Sequence, residues 1–388
     1  MNKEFEYLGA EELTDILGLT IKKDNKNKLI TFLCALSAYT EDSQFNLIFN
    51  APSSTGKSFI PTEIAKLFPA EDVIEIAYCS PTAFFHENGK YDKERNSIIM
   101  ELSNKIIIFL DQPHLMLLEK LRPLLSHDAK EINLKITDKS QKGGLKTKNI
   151  IIKGYPSVIF CSANMNIDEQ EGTRFMVLSP EVDQDKLRES IREKVLKDTD
   201  IEKYATWLEQ DPRRIKLRER ILAIKAAKIK NIIVPNPEII LEKFFASRIK
   251  LKPRHQRDVG RIISLIKVSA LINLWLREKV GPSIISNNDD LDLAFLIWNK
   301  ISKSQELNIS PYILDIYEKI ILPLSSDNHG LTKKEILAEY YKRNGSFIPD
   351  YQLRQQIIPT LKVAGLISED PDPKDGRSIL IRPTMYSE

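Results

Sequence analysis

The sequence predicts an α/β fold: a parallel-sheet domain, then a helical region, then a small C-terminal unit. Three observations lead there. The run Phe45-Asn46-Leu47-Ile48-Phe49 leads straight into Ala51-Pro52-Ser53-Ser54-Thr55-Gly56-Lys57-Ser58, short apolar runs alternate with helical segments over residues 45–180, and residues 185–305 change to helical periodicity. The expected organisation is an N-terminal helical segment over 1–40, an α/β core over 41–184, a helical lid region over 185–305 and the C-terminal unit over 311–388.

Residues 8–38 read as two short helices, with Leu13, Ile16, Leu17 and then Ile30, Phe32, Leu33 and Leu36 on apolar faces. The strand at Phe45–Phe49 and the amphipathic Phe59–Phe68 bracket a loop of the kind that presents backbone N–H groups and a helix N-terminus to polyphosphate. Pro52, Ser53, Ser54, Thr55 and Gly56 would cradle the phosphates of ATP, Lys57 would reach the β- and γ-phosphates, and the Ser58 hydroxyl would hold Mg²⁺. Ala51 stands where the pattern has its first glycine, and Pro61 is expected to cost one helical hydrogen bond and bend the axis. The competing reading is a plain Ser/Gly turn.

Val73–Ala77, Lys105–Leu110 and Pro156–Cys161 suit strands buried on both faces. Asp111 ends the second of these, 54 residues after Lys57, and is the candidate acid for ordering Mg²⁺ or its waters; a core strand that happens to end in Asp is the alternative. Gln112 follows where a general base would be useful. An amide orients water but cannot take its proton, so hydrolysis is expected to be slow or to use Glu101 or Asp111. Asn164, ahead of Asn166, is the candidate for sensing the γ-phosphate from the tip of the third strand, with a turn asparagine as the alternative. Within Glu171-Gly172-Thr173-Arg174-Phe175, Arg174 is the candidate to neutralise transition-state charge on a neighbouring subunit's nucleotide, against an ordinary surface ion pair.

Residues 131–153 form two alternating β-runs around Gly143-Gly144, a hairpin pattern. Residues 130–153 hold seven lysines against Glu131 and Asp138, a local charge of +5. Lys139, Lys142 and Lys146 near the tip suit a nucleic-acid backbone without base recognition, or else act as solvated gatekeepers. Residues 212–230 carry eight Lys/Arg against Glu219, either a DNA contact or a solvated helix face.

The C-terminal unit has the pattern of a winged helix. Tyr312–Leu322 is its first helix, Thr332 and Glu335 form a capping box for Lys333–Arg343, and Tyr351–Ala364 is a third helix bent at Pro359. A wing around Pro371–Arg377 returns through Ser378–Ile381. Gln352, Arg354, Gln355, Lys362, Lys374 and Arg377 are the DNA-contact candidates. Glu369, Asp370, Asp372 and Asp375 dilute that charge, as a protein-docking module would allow.

These motifs, in this order, resemble the AAA+ module of the minichromosome-maintenance-like helicases of mobile elements and phages. The similarity covers roughly residues 8–280 and rests on Ser53–Ser58, the Leu118–Asp128 helix, Gly154-Tyr155-Pro156, Arg174-Phe175, and Arg254-His255-Gln256-Arg257-Asp258 leading into Leu265–Ala270. The resemblance implies a ring-forming ATPase, a hexamer, that uses ATP and Mg²⁺ to move on or unwind DNA. It also implies that Arg257, or Arg254, contacts nucleotide from the lid, that the lysine hairpin lines the channel, and that replication partners such as a primase accompany it. Gln112 departs from the family's usual acid and favours a second reading, an ATP-switched initiator or loader that hydrolyses little. A third is a phosphate-binding regulator whose C-terminal unit recruits proteins.

Composition bounds these readings. At 388 residues, 42% hydrophobic and 29% charged, the chain resembles an ordinary globular protein, and its net charge of +3 means that nucleic-acid affinity must come from local patches. Cys34, Cys79 and Cys161 lack paired spacing, and the five histidines are scattered, which argues against zinc sites and a disulfide framework. Neither a signal peptide nor a span of membrane length is evident, so a cytoplasmic protein is expected.

Overall fold

Strands β1 (Asn46–Asn50), β2 (Val73–Ile76), β5 (Ile106–Phe109), β8 (Ser157–Ser162) and β9 (Phe175–Leu178) form a central sheet in the order β2-β5-β8-β1-β9. All four pairings are parallel. The computed structural model describes residues 5–81, 83–87, 89–138, 146–164, 172–246, 248, 250–325, 330–373 and 378–384.

The apolar runs sit in this sheet because both faces are covered. Alternate residues point to opposite sides. Leu47, Phe49, Ile106, Ile108, Ile159 and Cys161 join one core cluster, while Ile48, Ile107, Phe109, Val158 and Phe160 join another. Helices α1 (Ala10–Leu17), α2 (Asn25–Ser37) and α3 (Phe59–Ala65) contribute to the first cluster. The short α4 (Phe84–Glu87) and α5 (Leu115–Leu125) contribute to the second.

The lysine-rich hairpin forms as β6 (Glu131–Asp138) and β7 (Lys146–Lys153), antiparallel in register from Glu131↔Lys153 to Asp138↔Lys146. It is half of a second sheet. A further hairpin, β3 (Lys90–Asp92) and β4 (Ser97–Glu101), adds to β7 with β4 parallel to it, giving the order β3-β4-β7-β6. Gly154 turns the chain from β7 toward β8 at φ +83, and a Cβ there would lie 2.1 Å from the Ser103 hydroxyl oxygen. Only glycine fits that approach.

Beyond β9 the chain is mainly helical: α6 (Gln184–Thr199), α7 (Ile201–Gln210), α8 (Pro212–Ala227), α9 (Pro237–Ala246), α10 (His255–Ile272), α11 (Asn288–Asn299) and α12 (Ser302–Leu307). Within the region of helical periodicity the chain also holds β12 (Ser283–Ile285), paired with β10 (Asn231–Ile233) and β11 (Lys279–Val280). Strands this short show no alternation to read. At the edge of the central sheet, the Gln305 amide accepts from Val177 N–H at 2.9 Å and donates to Val177 C=O at 2.8 Å, closing β9 as a strand would.

The C-terminal residues have their own core, which includes Ile313, Ile321, Ile336, Leu353, Leu361 and Ile381. Helix α13 runs through Pro311–Ile316, a π-turn at Tyr317–Ile321 and Leu322–Leu324. Then come α14 (Lys333–Asn344) and α15, which runs from Asp350–Gln352 through a π-turn at Leu353–Ile357 to Ile358–Val363. Both π-turns end two residues before a proline, Pro323 and Pro359, whose missing N–H breaks the regular ladder. The capping box forms, with Glu335 N–H donating to Thr332 Oγ1 at 3.3 Å and Thr332 N–H to Glu335 Oε2 at 2.7 Å. A ribbon of β13 (Ile367–Pro371) and β14 (Ile379–Pro383) completes the unit, with Leu331 bridging Ile381.

One buried pair anchors the helical region. Arg277 and Asp290, each side chain 3% exposed, share hydrogen bonds of 2.7 and 2.6 Å, and Asp290 also closes the capping box with Asn287 at the start of α11. Asp290→Ala leaves a buried guanidinium unpaired and uncaps the helix, so it should cost about 3–5 kcal/mol in urea unfolding. A loss below about 1 kcal/mol would show the pair to be hydrated and unimportant.

Candidate functional site

The loop after β1 is held at its base and open at its top. Ala51 N–H donates to Ser162 C=O at 3.3 Å, fixing the loop to β8. Ala51 is buried, and its φ is not positive, so the position does not require the glycine of the usual pattern. Further along, Ser54 and Gly56 adopt φ of 65° and 87°, alternations that turn successive N–H groups toward one side. A Cβ on Gly56 would meet nothing within 4 Å, so the backbone there faces open space. Thr55 Oγ1 donates to Pro52 C=O at 2.9 Å and Lys57 Nζ to the same oxygen at 3.3 Å, which folds the ammonium over its own loop. Ser58 precedes α3, and its hydroxyl makes no capping bond to that helix.

Pro61 falls in the first turn of α3, where a lost N–H matters least. The carbonyl it cannot serve is that of Lys57. Cys161 Sγ donates to that oxygen at 3.3 Å instead. This thiol is buried beneath the loop, and burial pushes it up to about 12, with Lys57 acting to lower it and Asp111 to raise it. Both charges therefore act on one buried sulfur.

Asp111 follows β5 on the same rim as the loop. Ile159 of β8 pairs with Leu47 on one side and Ile108 on the other, so β8 separates the two strands. Two strand spacings put the backbones of Asp111 and Asn50 about 10 Å apart. Asp111 is exposed, and Oδ1 accepts the N–H of Gln112 at 2.8 Å. The Gln112 side chain is engaged, since its Oε1 accepts from Ser162 Oγ at 2.9 Å. Asn164 N–H in turn donates to that hydroxyl at 3.1 Å.

Four residues that sequence reasoning passed over complete the rim: Asn50, Cys161, Ser162 and Ser179. Asn50 Nδ2 donates to Asn164 C=O at 2.6 Å, and Ser179 Oγ donates to Asn50 C=O at 2.6 Å. The signal was a fully buried asparagine ending an apolar strand, which the accounting of buried polar groups makes conspicuous.

The two arginines lie elsewhere. Phe175 pairs with Asn46, the first residue of β1, so Arg174 sits at the end of the sheet away from the loop, about 17 Å along the strand. Arg174 Nε donates to Ser126 Oγ at 2.9 Å. Arg257 and Arg254, which the resemblance places on nucleotide from the lid, stand at the start of α10. Arg257 donates to Thr173 Oγ1, next to Arg174, and Arg254 pairs with buried Asp258 at 3.1 Å. Asp258 also holds Arg261 at 3.1 Å, and Arg261 donates to Phe175 C=O at 2.9 Å. The start of α10 is thus pinned to the start of β9, and the loop of the same chain is out of reach.

Of the nucleic-acid candidates, Lys139, Lys142, Lys374 and Arg377 lie outside the described residues, and Lys146 begins β7. Arg354 pairs with Asp350 at 2.7 Å and Lys362 with Glu369 at 3.1 Å, all at exposed or half-buried positions on the C-terminal unit. The β3–β4 hairpin, which the sequence reading missed, adds Tyr91, 62% exposed, beside the lysine hairpin's sheet.

A cavity of about 830 Å³ opens over the loop. Its walls come from Thr20–Lys22, from α6 and α7, and from the C-terminal unit. Among the described residues no group of three or more His, Cys, Asp and Glu side chains is placed to hold a metal, and no helix is long and apolar enough to cross a membrane.

No family model matches the chain, and no curated protein matches it. Among solved structures it is similar to a full-length MCM homologue from Methanopyrus kandleri, at 12% identity and a TM-score of 0.47, over 78% of this chain and 63% of that one.

The buried thiols give a direct check on the rim. With the Cys161 thiol at about 12, only about one part in 10⁴ is thiolate at pH 8, and that share rises tenfold per pH unit. Burial raises Cys34 as well. Iodoacetamide at pH 8 should therefore label Cys79 in the folded chain and all three cysteines only in denaturant, as read by mass spectrometry. Rapid native labelling of Cys161 would mean the loop does not cover it.

Proposed function

We propose that the chain is a P-loop ATPase that works on DNA as a ring, with each nucleotide held between two copies. The observation that carries this reading is the open glycine–lysine loop at the sheet rim with Asp111 two strands away. Lys57 would release Pro52 and take the β- and γ-phosphates of the incoming Mg·ATP. The Ser58 hydroxyl, unused by its helix, and the exposed Asp111 carboxylate suit the metal that arrives with the substrate. Asn164 would read the γ-phosphate, and Gln112 would orient water while Ser162 holds its amide.

Arg174 and Arg257 support the shared-site part of the reading, because they stand together at the far end of the sheet. From there a guanidinium serves a neighbour, where it stabilises the charge of the transferring phosphoryl group. The hairpin at 131–153 would grip a nucleic-acid backbone through Lys139, Lys142 and Lys146. The C-terminal helices and ribbon are read as a winged helix, with Arg354, Lys362 and Arg377 toward DNA.

Lys57→Ala should abolish ATP binding in calorimetry and lower turnover about 100-fold or more. Arg174→Ala should bind ATP and fail to turn it over. Mixing the two inactive variants should restore part of the activity, since some interfaces then pair an intact loop with an intact arginine. Absence of any restoration would remove the shared site.

Neutralising Lys139, Lys142 and Lys146 together should leave basal hydrolysis within about two-fold and remove stimulation by single-stranded DNA. Undiminished stimulation would discard the hairpin as the grip.

A second reading has one observation in its favour, the engaged amide of Gln112 in place of a carboxylate. On that reading the chain is an ATP-switched DNA-binding initiator or loader. Single-turnover hydrolysis with and without DNA separates the two.

A further inference from the structure

The cavity over the loop has one wall that a nucleotide pocket does not need for its phosphates. Tyr340, Phe347 and Gln352 from the C-terminal unit line it, together with Leu187, Ile201 and Tyr204 from α6 and α7. Phe347 is 74% exposed, although it belongs to a unit with a well-filled core. One of its faces is covered by Tyr341, with ring centroids 4.3 Å apart and planes at 15°. On the other side of the space, Leu187 and Ile201 are 40% and 65% exposed, and α6 and α7 bury only Lys186 between them. Apolar groups on both walls of a cavity floored by a phosphate loop are shaped for a flat, weakly hydrated ring system.

The C-terminal wall is positioned rather than loosely tethered. Tyr312 N–H donates to Ser179 Oγ at 3.0 Å, and Ser179 is the residue that donates to Asn50 just before the loop. Tyr312 and Tyr340 share a hydroxyl–hydroxyl bond of 3.0 Å. Gln184 Nε2, at the start of α6, donates to Asn344 C=O at 2.6 Å, at the end of α14. Next to Phe347, Ile348 is buried in the unit's core and Pro349 stiffens the turn into α15. Two hydrogen bonds, Tyr312 to Ser179 and Gln184 to Asn344, thus tie the C-terminal unit to the rest of the chain, and the Tyr312–Tyr340 bond braces it from within.

We propose that the C-terminal unit completes the nucleotide site, with Phe347 stacking on the base of the nucleotide whose phosphates occupy the loop. This rests on the loop being a nucleotide site. The base would extend the Tyr341–Phe347 stack by one ring and lie against Leu187 and Ile201, while Gln352 supplies an amide at the same wall. Loading of nucleotide and docking of the C-terminal unit then favour each other, because each covers apolar surface of the other.

Titration calorimetry of the full chain with ATP and with inorganic tripolyphosphate, both in Mg²⁺, tests it. Phe347→Ala should weaken ATP about five- to ten-fold and leave tripolyphosphate within about two-fold. Phe347→Trp should restore ATP affinity, and its fluorescence should respond to ATP but not to tripolyphosphate. Unchanged ATP affinity in Phe347→Ala overturns the proposal, and so does equal weakening of both ligands, which would make the ring a structural element only. Failure of the underlying reading looks different: the unaltered chain would bind neither ligand, or Lys57→Ala would keep both.

Discussion

The wedge of β8 between β1 and β5 sets every distance that matters at the rim. Parallel pairing leaves the C-terminal ends of all three strands on one side, and the spacing between strands is fixed by backbone hydrogen bonds. A loop from one strand and a carboxylate from the second-next strand therefore face each other across about 10 Å, with the tip of the middle strand between them. That gap suits a phosphate chain with its metal, whereas adjacent strands would leave half of it. The middle strand's own tip, Ser162 to Asn164, links the two sides, since it bonds both to Gln112 and to Asn50.

Hydrogen-bond accounting explains why small polar residues, and not charges, build the support beneath. Pro61 withholds a donor from Lys57 C=O, and Cys161 supplies one. Asn50 ends a strand buried on both faces; its Nδ2 donates to Asn164 C=O and its backbone carbonyl accepts from Ser179 Oγ, while its Oδ1 has no hydrogen-bond partner among the described residues. Asn50, Cys161 and Ser179 are buried, where an unmet donor or acceptor costs about 1–3 kcal/mol. The chain Asn164–Asn50–Ser179–Tyr312 is therefore hard to break at one link without cost at the next. It runs from the candidate γ-phosphate sensor to the first helix of the C-terminal unit.

Much of this was legible from residues alone, and the failures have physical reasons. Ile106–Leu110 and Ser157–Cys161 could be read as strands because runs buried on both faces carry no polar alternation. The Thr332/Glu335 box was visible because capping is local. What was hidden is non-local. Strand β4, Ser97–Glu101, owes its place to a parallel partner some fifty residues later in the chain. The partners of Asn50 and Gln305 are 114 and 128 residues away. Helical periodicity says which face of α10 is apolar, not which strand terminus that helix meets, so the neighbours of Arg257 could not be read from the residues alone.

The position of Arg257 follows from how the start of α10 is anchored. At the start of α10, Asp258 pairs with both Arg254 and Arg261 in a buried triad that stays net positive, and Arg261 fastens the helix to Phe175. Arg257, exposed on the other face, rests against the neutral hydroxyl of Thr173. Hence the helix is locked by two arginines and presents the third, with Arg174 one residue beyond its hydroxyl partner. The loop of the same chain lies about 17 Å from this pair along the strand, so neither guanidinium reaches it.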